Sequence, residues 1–341
     1  MVVVTVSLGM NGYVMARLCR LWGARRGRWF YGRLLLLSIS PIAALVLESR
    51  IGNGLTGACF TLAMTWLGLC WLLLWILLVQ QVLAPILPLP RPAWAVGVCG
   101  LACCLALFAA VNARWVTIRR EQIPQLPLRI AHLSDIHIGS IGPSVLADII
   151  AATNAFTPDL VLITGDLFDN ANPKSRAPAA RLAALTAPVV LTSGNHEAYT
   201  GYDNVRQMLA GTGIRWLRND VLEFKSIRII GVDNSFRADI LRSVLDRAAP
   251  SPAFTILMNH QPIGFDIAAQ HGIGLTLSGH VHNGQLWPFN YVVGVFYPYL
   301  KGLHREAGAY LNVSTGTGIW GPPLRLGSHS EVVLLEPLPR T

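Results

Sequence analysis

The sequence predicts two regions of different class, an α-helical membrane region near the N-terminus and an α/β domain after it. Between Ile51 and Ala113 the one charged side chain is Arg91, whereas residues from Arg114 onward have the composition of a water-soluble domain. In that second part, short apolar runs alternate with stretches of helical periodicity, which is typical of strand–helix–strand folds. The mean hydropathy of +0.46 therefore averages two different kinds of chain.

Residues 1–113 form the predicted membrane domain, with three or four crossings. The candidate spans are residues 2–16, 33–48, 58–82 and 93–113. A helical span needs about 20 mostly apolar residues, so the last two candidates fit best. The second contains Pro41, and the first is short and contains Asn11, so whether residues 2–16 cross the bilayer stays open.

The distribution of charge predicts the orientation of this region. Residues 1–113 hold 8 Arg and Lys against 1 acidic residue, and residues 114–341 hold 19 against 17. Because cytoplasmic loops are enriched in Lys and Arg, the arginine-rich stretch 17–33 is predicted to be cytoplasmic. Three crossings then place the later domain outside the cytoplasm, on a multi-pass anchor in the cell (inner) membrane.

The same distribution bears on the partners. A nucleic-acid enzyme carries its basic excess on the catalytic domain, whereas here the excess lies beside the apolar stretches. No nucleic-acid partner is therefore expected, and no protein partner is evident. The expected partners of the apolar stretches are membrane lipids.

Residues 114–128, with Pro124 and Pro127, are interpreted as a tether, and the domain is expected at residues 129–337. Six apolar runs predict strands: Leu128–Leu133, Leu160–Thr164, Pro188–Thr192, Ile227–Val232, Phe254–Asn259 and Leu275–Ser278. Three stretches predict helices: Ser144–Phe156, Lys174–Leu185 and Asp203–Leu209.

Polar motifs follow the predicted strands at the points where they end. They are Asp135-Ile136-His137, Gly165-Asp166-Leu167-Phe168-Asp169, Gly194-Asn195-His196-Glu197, Asn259-His260-Gln261 and Gly279-His280-Val281-His282. Ligand sites in α/β sheets gather at the carboxyl ends of strands, so these motifs can converge on one crevice. Carboxylate, imidazole and amide groups without cysteine suit two divalent ions such as Mn, Fe or Zn. The glycines are expected to permit close approach of the backbone to the ligands.

The ordered series D-x-H, G-D-x-x-D, G-N-H-[DE], H and G-H-x-H resembles the calcineurin-like metallophosphoesterase superfamily over residues 128–337. Residues 257–262 (LMNHQP), 277–288 (LSGHVHNGQLWP) and 313–325 further resemble a membrane-associated bacterial branch. That branch includes transmembrane proteins with a metallophosphoesterase domain and phosphodiesterases assigned to UDP-2,3-diacylglucosamine hydrolysis. The resemblance implies two stacked mixed β-sheets flanked by helices, an αββα sandwich.

The resemblance also implies a role for each motif residue. Asp135, His137 and His282 would hold one ion, Asn195, His260 and His280 the other, and Asp166 would bridge both. His196 resembles the family histidine that protonates the leaving oxygen, and Asp169 matches the carboxylate that orients this histidine. Hydrolysis would proceed by attack of a metal-activated hydroxide on phosphorus.

Several residues keep two interpretations. His132 is expected in the core or beside the ligands, and Glu197 either tunes the site or is solvated. Trp287, Tyr299 and Trp320 line a lipid or sugar pocket, or belong to the core.

The function predicted from these motifs is hydrolysis of a phosphodiester or pyrophosphate bond. The multi-span anchor indicates a substrate at the bilayer surface, so a phosphorylated, lipid-linked substrate is the expected partner. The resemblance favours a UDP-2,3-diacylglucosamine-type pyrophosphate in lipid A biosynthesis. The predicted topology argues against that substrate, because a UDP-linked intermediate is made on the cytoplasmic side. Another envelope or glycolipid phosphoester, and a catalytically silent membrane sensor or scaffold with the same fold, remain alternatives.

Overall fold

The computed structural model describes residues 2–170, 176–248 and 250–338, which divide into two units. The first unit comprises Met1–Asn112 and a late segment, Gly321–Leu326, and the second comprises Ala113–Trp320 and Gly327–Thr341. The boundary near residue 113 agrees with the predicted start of the second region. The assignment of Gly321–Leu326 to the helical unit was not predicted.

The helical unit is built from four helices in its described part, α1 (Val2–Leu21), α2 (Arg28–Ile51), α3 (Gly54–Leu83) and α4 (Arg91–Asn112). The helices α2, α3 and α4 are long and apolar enough to cross a membrane by length and composition. Pro41 lies within α2 without ending it. Asn53 caps α3, since its side chain accepts the backbone N–H of Thr56 at 2.9 Å.

Hydrogen bonds connect distant parts of this unit at two buried polar residues, Asn11 and Arg325. Asn11 is fully buried, and its Oδ1 accepts a hydrogen bond from Nε1 of Trp66 at 2.9 Å. Arg325, from the late segment, is also fully buried, and its backbone N–H donates to the carbonyl of Ala109 at 2.9 Å. Nδ2 of Asn112 donates to the carbonyl of Arg325 at 3.0 Å. The late segment is therefore attached to the end of α4.

The second unit contains two six-stranded mixed sheets with helices on their outer faces. Its strands are β1 (Val116–Ile123), β2 (Ile130–Leu133), β3 (Leu160–Ile163), β4 (Val189–Thr192), β5 (Arg215–Leu217), β6 (Asp220–Phe224), β7 (Ile227–Val232), β8 (Phe254–Asn259), β9 (Leu275–Ser278), β10 (Gly302–Glu306), β11 (Ala309–Val313) and β12 (Ser330–Pro337). Its helices are α5 (Pro143–Ala155), α6 (Arg176–Ala180), α7 (Asn195–Thr200), α8 (Tyr202–Leu209), α9 (Ala238–Arg247), α10 (Phe265–Gln270) and α11 (Phe289–Val293).

The first sheet has the order β1-β12-β2-β3-β4-β5, and the second has the order β10-β11-β9-β8-β7-β6. In the first sheet the strands β2, β3, β4 and β5 run parallel to one another, and β12 pairs antiparallel with β2. In the second sheet the strands β7, β8, β9 and β11 run parallel to one another, while β6 pairs antiparallel with β7 and β10 with β11. One apolar layer, which includes Ile130, Leu162, Ile256 and Leu277, is shared by both sheets. Two outer layers contain the helices that cover each sheet. This arrangement confirms the predicted αββα sandwich.

The predicted strands after residue 226 match β7, β8 and β9 residue for residue, and the earlier three differ by one or two residues at their ends. Buried on both faces, these strands are continuous apolar runs, which is why the sequence reveals them. The predicted helix Lys174–Leu185 is observed as α6 followed by a 3₁₀ turn over Arg181–Ala184, while residues 174 and 175 lie outside the described residues.

The interpretation of residues 114–128 as a tether is wrong. Residues 116–123 form β1, which pairs in parallel with β12 along its whole length. Ile123, Leu126 and Leu128 are buried in the layer between the sheets. A half-buried edge strand that alternates polar and apolar residues resembles an exposed linker in the sequence, and its partner lies more than two hundred residues away.

Candidate metal centre

The five motifs come together at one edge of the two sheets. The strands β2, β3 and β4 of the first sheet and β8 and β9 of the second end beside them. In each sheet these strands are parallel, so their carboxyl ends meet at the same edge. Asp135, Asp166 and Asn195 come from the first sheet, and His260 and His280 from the second. The site therefore lies where both sheets deliver polar side chains.

Asp135, His137 and His282 form the first group of donors. Nε2 of His137 lies 3.3 Å from Nε2 of His282, and Nε2 of His282 lies 3.3 Å from Oδ1 of Asp135. Nε2 of His137 lies 3.9 Å from the same oxygen. All three side chains are buried, so a cation among them would be largely removed from water.

Asp166, His260 and His280 form the second group, in which one donor atom of each residue lies within 4.8 Å of the others. Nε2 of His260 lies 3.2 Å from Oδ2 of Asp166 and 3.2 Å from Oδ1 of Asn195. Asn195 is buried and adds a neutral oxygen to this group. The predicted ligand set of the second ion is therefore assembled in full.

Asp166 lies between the two groups. Its Oδ2 is 3.2 Å from Nε2 of His260 in the second group and 4.0 Å from Nε2 of His137 in the first. One carboxylate can thus serve both positions, which is the arrangement that keeps two cations about 3.5–4 Å apart in two-metal sites. The geometry supports the predicted bridging role of Asp166.

Two hydrogen bonds prepare the histidines for metal binding. Nδ1 of His260 lies 2.6 Å from the carbonyl oxygen of Thr164, and Nδ1 of His137 lies 2.7 Å from Oδ1 of Asp169. Both partners only accept, so a neutral imidazole must carry its hydrogen on Nδ1. Nε2 then keeps its lone pair, and in each residue Nε2 faces the other donors. Metal-binding histidines require this neutral tautomer, and it forms when a cation takes the place of the proton on Nε2.

The electrostatics of the site favour a positive charge. Burial lowers the pKa of His260, but the charge of Asp166 and its hydrogen bond outweigh burial and raise this pKa to about 10. Asp169 has the same effect on His137, whose pKa rises to about 9 against the effect of burial. The histidines in turn hold the pKa of Asp135 well below its usual range. Such a site stabilises bound divalent cations, and its donor set fits two of them.

Five of the seven predicted ligands have left-handed backbone conformations, which are uncommon for residues other than glycine. The φ angles are 53° for Asp135, 54° for His137, 51° for Asp166, 70° for His280 and 48° for His282. Strained conformations of this kind cluster at functional sites, where the surrounding structure imposes them. The strain indicates that the loops are shaped for the ligands.

Two glycines permit the loops to approach, as the sequence predicts. A Cβ atom at Gly194 would lie 2.1 Å from Oδ1 of Asp166. A Cβ atom at Gly279 would lie 2.0 Å from Oγ of Ser134 and 2.2 Å from Oδ2 of Asp135. Any larger residue at either position would therefore displace a ligand carboxylate.

Glu197 is neither solvated nor a donor to the ions. It is fully buried, and its carboxylate accepts the backbone N–H groups of Asp166 at 2.8 Å, Leu167 at 2.9 Å and Gly194 at 2.7 Å. These N–H groups belong to the loops after β3 and β4. Glu197 thus joins two ligand loops, a role that its place beside Asn195 in the sequence does not reveal.

His196 lies at the predicted position, but Asp169 has a different main partner. The carboxylate of Asp169 bonds to Nδ1 of His137 and to the hydroxyl of Ser140, whereas its Oδ1 lies 3.6 Å from Nδ1 of His196. The contact with His196 is made by the backbone carbonyl of Asp169 at 3.3 Å. The carboxylate of Asp169 therefore lies between the two histidines and is closer to His137, and its predicted orienting action on His196 stays a prediction.

His132 is buried beside the ligands, in agreement with its expected place. Its Nε2 lies 2.8 Å from Oγ1 of Thr164, the residue whose carbonyl holds His260. Its Nδ1 lies 2.7 Å from Nδ2 of Asn312, whose Oδ1 accepts a hydrogen bond from Arg119 at 2.8 Å. A polar chain thus runs from β1 through β11 and β2 to the second ligand group. Neither Asn312 nor Arg119 belongs to a motif that could be recognised in the sequence.

Aromatic rings surround the ligand groups. The rings of Tyr199 and Trp320 lie 5.4 and 6.1 Å from the ring of His196, and those of Phe236 and Tyr297 lie 6.2 and 5.5 Å from the ring of His280. Tyr199, Phe236 and Trp320 are exposed. Of these four residues, Trp320 is the one predicted from the sequence to line a pocket.

Tyr299 and Trp287, the other two aromatic residues predicted to line a pocket or to belong to the core, have different surroundings. Tyr299 packs on Phe265 with ring centroids 5.9 Å apart and hydrogen-bonds to Glu306, so it belongs to a local cluster. Trp287 is half exposed.

Comparison with known proteins agrees with the motif series. The calcineurin-like phosphoesterase family matches residues 128–284, a range that contains all seven predicted ligands and His196. A Helicobacter pylori (strain ATCC 700392 / 26695) protein named as an uncharacterized metallophosphoesterase is 33% identical over 225 residues, covering 62% of this chain and 60% of that protein.

A Bos taurus protein named transmembrane protein with metallophosphoesterase domain is 32% identical over 276 residues, covering 72% of this chain and 62% of that protein. The protein YpbG of Bacillus subtilis (strain 168) is 32% identical over 216 residues, covering 60% of this chain and 79% of its own length. The chain spans less than two thirds of the length of the first two relatives. Residues 128–284 are therefore a calcineurin-like metallophosphoesterase domain.

Proposed function

We propose that the protein is a membrane-anchored, dinuclear metal-dependent phosphoesterase that hydrolyses a phosphodiester or pyrophosphate bond. One observation carries the proposal: Oδ2 of Asp166 lies between two complete groups of donors, 3.2 Å from His260 and 4.0 Å from His137. Bound at these groups, two Mn, Fe or Zn ions would supply Lewis acidity toward phosphoryl oxygens and lower the pKa of water.

The protein's own residues have separate tasks in this reaction. Asp135, Asp166 and the imidazoles hold the cations, and Glu197 keeps two of the ligand loops together. Asn195 contributes an oxygen without adding negative charge, which preserves the attraction of the site for a phosphoryl group. The strained loop conformations fix these positions before the substrate arrives.

His196 is the proposed proton donor to the leaving oxygen. It is largely buried, lies beside His137 with ring centroids 4.7 Å apart, and its backbone N–H donates to Oδ1 of Asp166 at 2.8 Å. Its Nδ1 faces the carbonyl of Asp169 at 3.3 Å, which leaves Nε2 to hold and release the proton. Asp169 acts by orienting His137.

The proposed substrate is lipid-linked. Three helices long and apolar enough to cross a membrane belong to the same chain, and exposed aromatic rings surround the ligand groups. A UDP-2,3-diacylglucosamine-type pyrophosphate of lipid A biosynthesis is the leading candidate by resemblance. Another envelope or glycolipid phosphoester is the alternative that suits a domain outside the cytoplasm.

The orientation is also proposed. The arginine-rich stretch 17–33 favours a cytoplasmic position for the connection between α1 and α2, and three crossings by α2, α3 and α4 then place the metal centre outside the cytoplasm. A C-terminal fusion to a reporter that is active only outside the cytoplasm tests this orientation. A silent but expressed fusion would reverse it.

The proposed activity is tested with the full chain in detergent, because β1 begins at Val116 and a fragment starting at residue 120 would remove half of it. The assay is Mn²⁺-dependent hydrolysis of bis-p-nitrophenyl phosphate. Asp166→Ala is expected to lose metal binding and activity, and His196→Ala to bind metal but lose turnover. His271→Ala, outside the site, serves as the control. Metal-loaded wild-type protein without hydrolysis of any phosphoester tried would contradict the proposal.

A further inference from the structure

The segment Leu286–Leu300 presents an exposed apolar face. It contains no Asp, Glu, Lys, Arg or His, and none of the residues of α11 within it is buried. Six large apolar side chains within ten residues are exposed: Trp287, Phe289, Tyr291, Val292, Val295 and Phe296, the last two by 78% and 74%. We call this segment the aromatic segment. Contiguous exposed apolar surface of this kind marks an interaction site in a soluble domain.

The aromatic segment is folded on its inner side. Val293, Tyr297 and Leu300 pack against a buried cluster that includes Phe265 and Val313. The backbone N–H of Gly294 donates to the carbonyl of Asn290 at 2.9 Å, and that of Phe289 to the carbonyl of Leu286 at 2.8 Å. The outward side chains are therefore held in place by a formed structure, and they do not belong to an unformed core.

The aromatic segment also lies beside the metal centre. It begins four residues after the ligand His282. Tyr297, near its other end, donates a hydrogen bond to Oε1 of Gln261 at 3.2 Å, and its ring lies 5.5 Å from that of His280. A partner that binds the exposed face would therefore lie close to the metal centre, where a substrate would react.

The composition of the face indicates what covers it. Trp and Tyr are the side chains enriched at the boundary between lipid and water, because their rings are apolar and their edges polar. Exposed Lys301 and Arg305 follow the segment, and basic residues beside apolar ones attract anionic lipid headgroups. The chain also contains three helices that could cross a bilayer, so a lipid surface is the partner within reach.

We propose that the aromatic segment inserts its exposed side chains into the headgroup region of the bilayer and so presents the metal centre to lipid-linked substrates. The second half of this statement rests on the proposed function. The bilayer contact itself requires no catalysis, so it can be measured independently.

The first experiment measures how deeply the aromatic segment lies in the bilayer. A fluorescent amino acid is incorporated at Val295 in the full chain, which is reconstituted in nanodiscs of phosphatidylcholine and phosphatidylglycerol with or without bromine on the upper acyl carbons. Bromine quenches nearby fluorophores, so a loss of fluorescence is expected with brominated lipid. The same amino acid at Arg242, exposed on α9, is the control and should keep its fluorescence. Equal signals at both positions, with a concentration-dependent self-association, would assign the face to a second copy and overturn the proposal.

The second experiment compares two substrates. Replacing Val295 and Phe296 together by Ser should lower the rate on a vesicle-borne chromogenic phospholipid relative to soluble bis-p-nitrophenyl phosphate by at least about tenfold, because full burial of two such side chains would correspond to about a hundredfold or more. Ile118→Ser, an exposed apolar residue on β1, is the matched control. An equal loss on both substrates would show that the face supports the metal centre instead of binding lipid. If neither substrate is hydrolysed by the wild type, the quenching experiment still decides the bilayer contact while the proposed function fails.

Discussion

Oδ1 of Asp169 accepts a hydrogen bond from Nδ1 of His137 at 2.7 Å. This bond fixes which ring nitrogen of His137 carries the hydrogen, and it leaves Nε2 free to bind a cation. Asp169 therefore influences the metal centre through a ligand, whereas the motif series suggested an action through His196. The difference changes what a substitution of Asp169 is expected to do.

Asp169→Asn is expected to weaken metal binding. Loss of a carboxylate behind a metal-binding histidine typically costs about 10- to 100-fold in affinity. Calorimetric titration of the full chain with Mn²⁺ or Zn²⁺ measures the effect. Asp203→Asn, whose side chain is 91% exposed, is the control and should bind as the wild type does. Unchanged affinity with reduced turnover would instead restore the original assignment, in which Asp169 orients His196.

Glu197→Gln is expected to destabilise the fold and loosen the ligand loops. The carboxylate accepts backbone N–H groups from two loops, and an amide would place its own donors against them. Leaving buried N–H groups unpaired costs about 1–3 kcal/mol in the free energy of unfolding. The metal-free variant is expected to have a lower melting temperature than the metal-free wild type. The exposed Asp148 on α5 offers the control Asp148→Asn, and equal melting temperatures for the two variants would argue against the structural role.

Gly279→Ala is expected to reduce turnover by about 100-fold at saturating metal. The added Cβ would lie 2.2 Å from Oδ2 of Asp135, so the carboxylate must move, and a misplacement of about 1 Å at a reacting centre can have this effect. Gly142→Ala is a suitable control, since Gly142 has a φ of −74° and its nearest neighbouring atom would lie 4.0 Å from the new Cβ. Comparable activity of the two variants would mean that the loops adjust freely.

His132 is expected to make stability depend on pH. Burial, helped by the charge of Arg119, lowers the pKa of His132 from 6.5 to about 3. Between these values the unfolded chain takes up a proton that the folded protein excludes. The free energy of unfolding therefore falls as the pH falls below 6.5, by at most about 1.4 kcal/mol per pH unit from this residue.

The test compares melting temperatures of wild-type and His132→Gln proteins at pH 7.5 and 5, both without metal so that loss of the cations does not contribute. Gln can still pair with Thr164 and Asn312, but it does not titrate. The wild type is expected to lose more stability than the variant on acidification. Parallel losses would show that His132 is already charged in the folded state.

Much of the fold could be predicted because the strands that carry ligands are buried on both faces. Strands β7, β8 and β9 appear in the sequence as uninterrupted apolar runs with sharp polar ends. The strands β1 and β10 could not be predicted in this way. Both lie at sheet edges and are mostly polar, and the parallel pairing of β1 with β12 joins positions far apart in the chain.

The site shows the same division between local and distant information. All seven predicted ligands are assembled, because each follows the end of a strand and short motifs preserve the spacing. Residues that act through distant partners were missed or were left with two interpretations. Glu197 bonds to a loop thirty residues earlier, and Asn312 reaches His132 from the other sheet.

The sequence by itself predicted the candidate ligands, the change of composition near residue 113 and the strands that lead to the candidate site, because these depend on residue type and short-range periodicity. The tertiary structure decided which oxygen lies between both donor groups, which histidine the carboxylate of Asp169 hydrogen-bonds, and that Gly321–Leu326 belongs with the helices. It also decided that the aromatic segment exposes its rings. These outcomes depend on which surfaces remain uncovered and which atoms meet after the chain has folded, and spacing along the chain does not encode either.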